Sequence, residues 1–272
     1  MKDSLPSRRA LLAGIAAVPA LVAVSSVALP KLALAKPRAW LGVELEKVDA
    51  GVGAKRVIRG SPADKAGVKA GDLILSLDGK VPATPRDVVK AIQDAGAGAT
   101  VTVKVEHAGA KADLKITLIE HPGDEEVLRL DKVGTFAPAW KGVKPVKGDV
   151  GDIKKQKGKV VLVDFWASWC SACRAMTGPL NELHDKLGAQ GLKIVGLTDD
   201  DEGVALKVSE KLGIKYAVNA ATSLDTLREY SVAALPTVFL VDKKGVIRHA
   251  SIGLQTTDAL SPIIKKLLAE PA

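Results

Sequence analysis

The sequence predicts two folded parts: a small module of strands with two short helices, then an α/β layer with a central sheet flanked by helices. Three observations carry this. A chain of 272 residues suits two domains rather than one. Residues 39–121 alternate short apolar runs with turns, whereas residues 132–272 alternate apolar strand-like runs with helical patterns. The composition, 47% hydrophobic and 26% charged, is that of a globular chain able to bury cores, neither disordered nor membrane-embedded throughout. The net charge of +8 is spread without a dense basic run. It serves solubility and weak steering, and no nucleic-acid-binding signature accompanies it.

Residues 1–35 have a separate logic. A basic start, Ser7-Arg8-Arg9, feeds an apolar run from Ala10 to Leu29 that ends in Ala33-Leu34-Ala35, a small-x-small pattern. This is the plan of an export signal with cleavage expected after Ala35. Arg8-Arg9 followed by Leu11-Leu12, with Lys31 near the cleavage site, resembles a twin-arginine signal. Retained, the run is long enough to anchor the chain, since a span needs roughly 20 apolar residues. Either way the folded parts are expected outside the cytoplasm, in the periplasm or at the cell exterior.

From Ala39, AWLGVELEKV reads as an apolar strand holding a glycine, and Val57-Ile58 as a short strand. SPADKAG reads as a capped helical turn, with Ser61 as N-cap and Pro62 at the first helical position. Asp72–Leu77 is a buried strand and Asp78-Gly79 a turn. Asp87–Gln93 is a helix with Val88, Val89 and Ile92 on its apolar face, and strands follow at Val101–Val105 and Leu114–Leu118. Leu41-Gly42-Val43 together with SPADKAGVKAGDLILSLDGK resembles a PDZ domain of the bacterial HtrA type over residues 39–121. That resemblance implies a partner's C-terminal peptide added beside Val43–Lys47, with its carboxylate held at the glycine loop. It places Leu41, Gly42, Val43, Leu45, Val89 and Ile92 in the peptide groove; each apolar one of these also reads as plain core. Pro85 stands where one PDZ class has histidine, so that class's Ser/Thr preference is not implied.

Residues 122–131, PGDEEVLRLD, read as a polar, acidic linker. In residues 132–272 strands are expected up to Trp166 and at Leu192–Thr198, Tyr216–Val218, Thr237–Val241 and Val246–Ser251. Helices are expected at Ser171–Gly188, Glu202–Leu212, Ser223–Tyr230 and Ser261–Ala269.

The chemistry concentrates in DFWASWCSAC, which holds both cysteines of the chain. Two thiols so placed are a redox pair, half a metal site or a structural disulfide. A bridge over two residues closes almost no loop and constrains the unfolded chain little. A second cysteine pair is absent and His107, His121, His184 and His249 are scattered, which argues against metal. A redox dithiol makes four demands, and this segment has a candidate for each. Cys170 follows an apolar strand and opens a helix, where the helix dipole favours thiolate. Cys173 lies one turn on, on the same face, placed to resolve a mixed disulfide. Asp164, on a buried strand, is desolvated and suits a general base. A cis peptide before Pro236 would leave the backbone of Leu235 free to pair with a substrate strand.

VLVDFWASWCxxC, LPTVFLVDKKGVI and GTFAPAW together resemble the thioredoxin superfamily, and most closely its exported TlpA/ResA-type branch, over residues 132–272. The resemblance implies a thioredoxin fold with a mixed sheet and a redox-active disulfide between Cys170 and Cys173. It makes Cys170 the nucleophile, Cys173 the resolving thiol and Pro236 cis, and puts Asp164 where thioredoxins keep a buried acid. It implies no cofactor and no metal. It also implies reduction of client disulfides, with a membrane thiol carrier as electron donor and a partner C-terminus on the PDZ module. The chain departs from the family at Ala172, Met176 and Pro179, and its strand IVGLT lacks the lysine that thioredoxins set beside the acid. Trp166 and Trp169 read as packing residues shielding the sulfurs, His184 as surface, and Asp199–Glu202 as a solvated loop. A peroxiredoxin would carry P-x-x-x-T-x-x before its cysteine, and no such run precedes Cys170. Two alternatives stand beside the reductase: a disulfide oxidant or isomerase, and a PDZ scaffold protein with an incidental thioredoxin fold.

Overall fold

The computed structural model describes residues 37–148 and 152–272, so the expected export segment lies outside the described residues. The N-terminal domain begins with β1 (Ala39–Trp40), β2 (Val43–Val48) and β3 (Gly51–Val57), then α1 (Pro62–Ala66), β4 (Leu73–Leu77) and α2 (Pro85–Ala95). It ends with β5 (Thr100–His107), β6 (Ala110–Thr117) and β7 (Ile119–Glu120). Strands β2 to β6 form an antiparallel sheet in that order, so β2 is an edge, and β1 pairs with β7. The capping residues act locally. Ser61 Oγ accepts from Asp64 N at 3.2 Å to start α1, and Thr84 and Asp87 form a capping box that starts α2.

The segment expected as a polar linker contains a packed helix, α3 (Asp124–Lys132). Its first turn is acidic and its last turn basic, in line with the helix dipole. Leu128 is buried, Arg129 Nε donates to Ala250 O at 3.1 Å, and Glu125 Oε2 accepts from Ile252 N at 3.1 Å.

The second domain continues with β8 (Lys144–Lys147), β9 (Val160–Phe165), α4 (Ser171–Leu187), β10 (Leu192–Leu197), α5 (Glu202–Lys211) and β11 (Ala217–Ala220). After these come α6 (Leu224–Glu229), β12 (Thr237–Val241), β13 (Ile247–Ile252) and α7 (Thr257–Ala269). The six-stranded mixed sheet has the order β13-β12-β9-β10-β11-β8. Strands β9, β10 and β11 run parallel, while β12, β13 and β8 pair antiparallel to their neighbours. Thus β13 is an edge, where Glu125 and Arg129 of α3 meet Ile252 N and Ala250 O and the backbone of Gly134 and Thr135 meets Ile247. All six residues of β9 are buried, in line with its apolar run Val160–Val163, and the strand carries Asp164 into the interior with them.

Strand β3 runs Gly51–Val57 where only Val57-Ile58 is expected, and two elements of the second domain also depart from expectation. KPVK does not read as a strand, yet β8 pairs with β11; its Pro145 is tolerated because β8 is an edge. Helix α7 begins at Thr257 rather than Ser261, because Thr256 Oγ1 accepts from Ala259 N at 3.2 Å and caps it, leaving Pro262 inside the helix. One face of the sheet packs Val160, Leu162 and Val238 against Leu180 and Leu183 of α4 and Ile264 of α7. The opposite face packs Val161, Val163 and Phe165 with Leu128, Trp140 and Tyr230. Among the described residues no helix is long and apolar enough to cross a membrane.

Candidate functional site

The site grows from the end of β9. Side chains alternate along it, so Val160 and Leu162 face α4 while Val161, Val163 and Phe165 face the other way. The same alternation puts Asp164 on the α4 side of the sheet, on the strand that leads into the cysteine turn. Trp166 N donates to Leu197 O at 3.0 Å, extending the pairing one step past the strand. The chain then turns through Ala167, Ser168 and Trp169, and Cys170 N donates to Ala167 O at 3.1 Å.

Cys170 is the N-cap of α4, and its Sγ accepts from Cys173 N at 3.1 Å. Serine, threonine or aspartate usually holds this position; here sulfur does, at the positive end of a 17-residue helix. Cys170 and Cys173 are joined by a disulfide with Cα atoms 5.3 Å apart, and both are buried.

Asp164 is 2% exposed. Burial pushes its carboxyl up to about 7, opposed by a hydrogen bond from Tyr216. Tyr216 Oη donates to Asp164 Oδ2 at 3.4 Å, while Oδ1 is buried without a partner. Burial, and then the Asp164 charge, push the Tyr216 phenol well above its ordinary range, so it stays a donor. On β10 the residue in register with Asp164 is Gly196. A Cβ there would lie 2.8 Å from Trp166 Nε1, so the indole occupies the space that a side chain on β10 would need. This accounts for the missing lysine: the acid meets a phenol from beyond β10 instead of a cation on it.

The Leu235–Pro236 peptide is cis. Strands β12 and β9 pair Thr237 with Phe165, so Pro236 is level with Trp166 at the cysteine end of the sheet. Among the described residues neither the N–H nor the C=O of Leu235 has a hydrogen-bond partner. Trp169 is not the packing residue expected: it is 71% exposed, because it stands on the turn outside the sheet. With Trp166, Asp199, Val232 and Leu235 it lines a cleft between the loop before Cys170 and the loop before Pro236. Trp166 is buried among the residues around the cysteines, as expected.

The acidic run after β10 is not simply solvated. Asp200 accepts from Ser168 N at 2.7 Å, Ser168 Oγ at 2.8 Å and Thr198 Oγ1 at 2.7 Å, fastening the turn before Cys170 to the end of β10. Asp201 caps α5. Asp200 and Tyr216 were not anticipated from sequence. An aspartate just past a strand end, opposite a serine just past the neighbouring strand, was the available signal for the first. Nothing local marks Tyr216.

In the N-terminal domain Leu41 and Ile92 lie in the closed core, Val43 and Leu45 are half-buried on β2, and Val89 is 53% exposed on α2. Gly42 has φ of 85°, and a Cβ on it would lie 2.1 Å from Ser61 Cβ. The carbonyls of this loop turn inward: Leu41 O accepts from Ala63 N at 3.0 Å and Gly42 O from Ile58 N at 2.9 Å. Among the described residues the Leu41 and Gly42 N–H groups meet no acceptor. Cys170, Cys173, Asp164 and Pro236 therefore converge at one end of the second sheet, and the six groove residues belong to the other domain. Among the described residues no group of three or more His, Cys, Asp or Glu could hold a metal ion.

Comparison with known proteins finds two family models on the chain. The AhpC/TSA family model matches residues 133–250 and a PDZ domain model matches residues 39–118. The thiol-disulfide oxidoreductase ResA of Bacillus thuringiensis (strain Al Hakam) is 33% identical over 137 residues, covering 50% of this chain and 79% of its own. The thiol:disulfide interchange protein DsbE of Pseudomonas aeruginosa is 33% identical over 121 residues, covering 42% of this chain and 65% of its own. Among solved structures, the thioredoxin domain of a thiol-disulfide oxidoreductase from Bacteroides vulgatus has 29% identity and a TM-score of 0.45, covering 50% of this chain and 97% of its own.

Proposed function

The chain belongs to the ResA family of thiol-disulfide oxidoreductases, and from that premise we propose that it reduces disulfides of client proteins outside the cytoplasm. The observation that carries this reading is the Cys170–Cys173 pair at the start of α4, with a buried acid on the strand that leads into it and an unpaired backbone at Leu235 at the same end of the sheet. Cys170 as thiolate attacks one sulfur of the client disulfide; a mixed disulfide forms and the other client sulfur leaves as thiolate. Cys173 then loses its proton to Asp164 and attacks Cys170 Sγ. The second client thiolate leaves, and the dithiol is left as the Cys170–Cys173 disulfide, two electrons having passed to the client. Leu235 pairs with the client backbone, and a membrane thiol carrier restores the dithiol. Export rests on the signal-like residues 1–35.

The N-terminal domain binds a partner's C-terminus in this proposal. Its support is the edge strand β2, the unmet N–H groups at Leu41 and Gly42, and the exposed Val89 on α2. Tethering would raise the effective concentration of a tailed client near Cys170.

Insulin reduction tests the function: the parent is expected to be active and Cys170→Ser inactive. Activity unaffected by that substitution, or absent from the parent, overturns the reading. The potential of the dithiol decides direction. A value near about −270 mV fits a reductant, and one near about −120 mV an oxidant.

A further inference from the structure

Helix α6 ends in a turn where Ser231 N donates to Arg228 O at 2.9 Å and Val232 N donates to Leu227 O at 2.9 Å. This is the Schellman pattern, whose left-handed residue is usually glycine. Here the position is Ser231, at φ of 56°. A side chain there carries a conformational cost that glycine avoids. The side chain is fully engaged. Arg56 Nη1 of β3 donates to Ser231 Oγ at 2.7 Å and to Asp131 Oδ2 at 2.7 Å, and Ser231 Oγ donates to the same Asp131 oxygen at 2.8 Å. Lys132 Nζ stands 3.0 Å from that oxygen, and the Asp131 side chain is 8% exposed. Glu44 Oε2 of β2 lies 2.9 Å from Arg56 Nη2.

One hydroxyl thus joins three parts of the chain: the N-terminal sheet, α3, and the start of the loop that runs through Val232 and Leu235 into cis Pro236. Arg56 and Asp131 already satisfy each other without it, and the α6 turn would close better with glycine. What the serine adds is a fixed starting point for that loop. Val232 and Ala233 also line both the cleft against Glu44 and Arg56 and the cleft against Trp169, so the loop is the common wall of the two.

We propose that Arg56, Asp131 and Ser231 are positioning residues, through which the N-terminal domain holds the Val232–Leu235 loop in the shape that pairs with a client protein. This rests on the reading that Leu235 pairs with the client, and it makes the N-terminal domain a structural part of the client site as well as a tether. A protein client, which lies along the loop, depends on the bridge; a small disulfide, which meets only the sulfurs, depends on it much less.

The full chain carrying Ser231→Gly tests this, because glycine removes the hydroxyl while relieving the backbone. Expected are a melting temperature equal to or above the parent's, a KM for insulin raised roughly five-fold, the factor one lost hydrogen bond carries, and an unchanged kcat. Amide hydrogen exchange at Val232–Leu235 should quicken, and turnover of insulin relative to hydroxyethyl disulfide should fall. Arg56→Met should give the same KM effect. A Ser231→Gly protein with the parent's KM and the parent's exchange at these amides overturns the proposal. If the parent reduces no disulfide, the functional reading fails, and the exchange measurement alone decides whether the bridge holds the loop.

Discussion

Asp164 shows how one residue's surroundings set both its chemistry and its cost. Its carboxyl is raised to about 7 by burial, so between the ordinary carboxylate range and pH 7 the folded state holds a proton that the unfolded state has lost. Stability therefore falls as pH rises through that window and stays lowered above it. Asp164→Asn removes the penalty, which is on the order of a few kcal/mol. Its melting temperature should exceed the parent's at pH 8 and match it near pH 4, while resolution of the mixed disulfide slows. Tyr216 acts in the opposite direction, since its hydrogen bond favours the carboxylate. Tyr216→Phe should push the Asp164 carboxyl further up and move the acid limb of the activity profile to higher pH, read from single-turnover rates between pH 5 and 9. Non-reducing gels test the roles proposed for the two thiols: Cys173→Ser should accumulate a client mixed disulfide through Cys170, and Cys170→Ser should not.

At the scale of elements, the turn between β9 and α4 is held from outside itself. Asp200 takes both hydrogen bonds that Ser168 offers, so Asp200→Ala leaves a half-buried N–H and hydroxyl without an acceptor. A loss of about 1–3 kcal/mol is expected, measured by denaturant midpoint, together with slower attack by Cys170. Strand β10 is equally constrained at Gly196, where a Cβ would press on the Trp166 indole at 2.8 Å. Gly196→Ala should destabilise by about 1–3 kcal/mol through overpacking and red-shift tryptophan emission if the indole is driven toward water. Helix α3 contributes at this scale too: it covers the β13 edge with Glu125 and Arg129 and carries Asp131 to the junction with β3.

At the scale of the molecule, residues Pro37–Ala272 form one compact unit, so the two domains meet rather than hang on a joint. Of the residues expected in the peptide groove, Val89 is open enough to change without disturbing the core, whereas any side chain at Gly42 collides with Ser61. Val89→Glu should leave the melting temperature near the parent's and weaken binding of a peptide ending in an apolar residue, measured by titration of the full chain. Much of this architecture was legible in the sequence, because strand alternation, capping residues and the C-x-x-C before a helix are short-range signals. The cysteine that opens α4, the buried strand of Asp164 and the Ser61 cap of α1 follow from neighbours a few positions away. Other features depend on residues far apart in sequence, whose meeting no local pattern encodes. Tyr216 reaches Asp164 across 52 positions, Asp200 reaches Ser168 across 32, and Arg56 reaches Ser231 across 175. Sequence alone marked the C-x-x-C before a helix and an aspartate on a buried strand; only the tertiary structure decided what faces that aspartate, what holds the turn before Cys170, and that an apparent linker contains a helix packed on a sheet edge. The physical reason is the same in each case: a polar group's behaviour in the interior is set by the partner that packing brings to it.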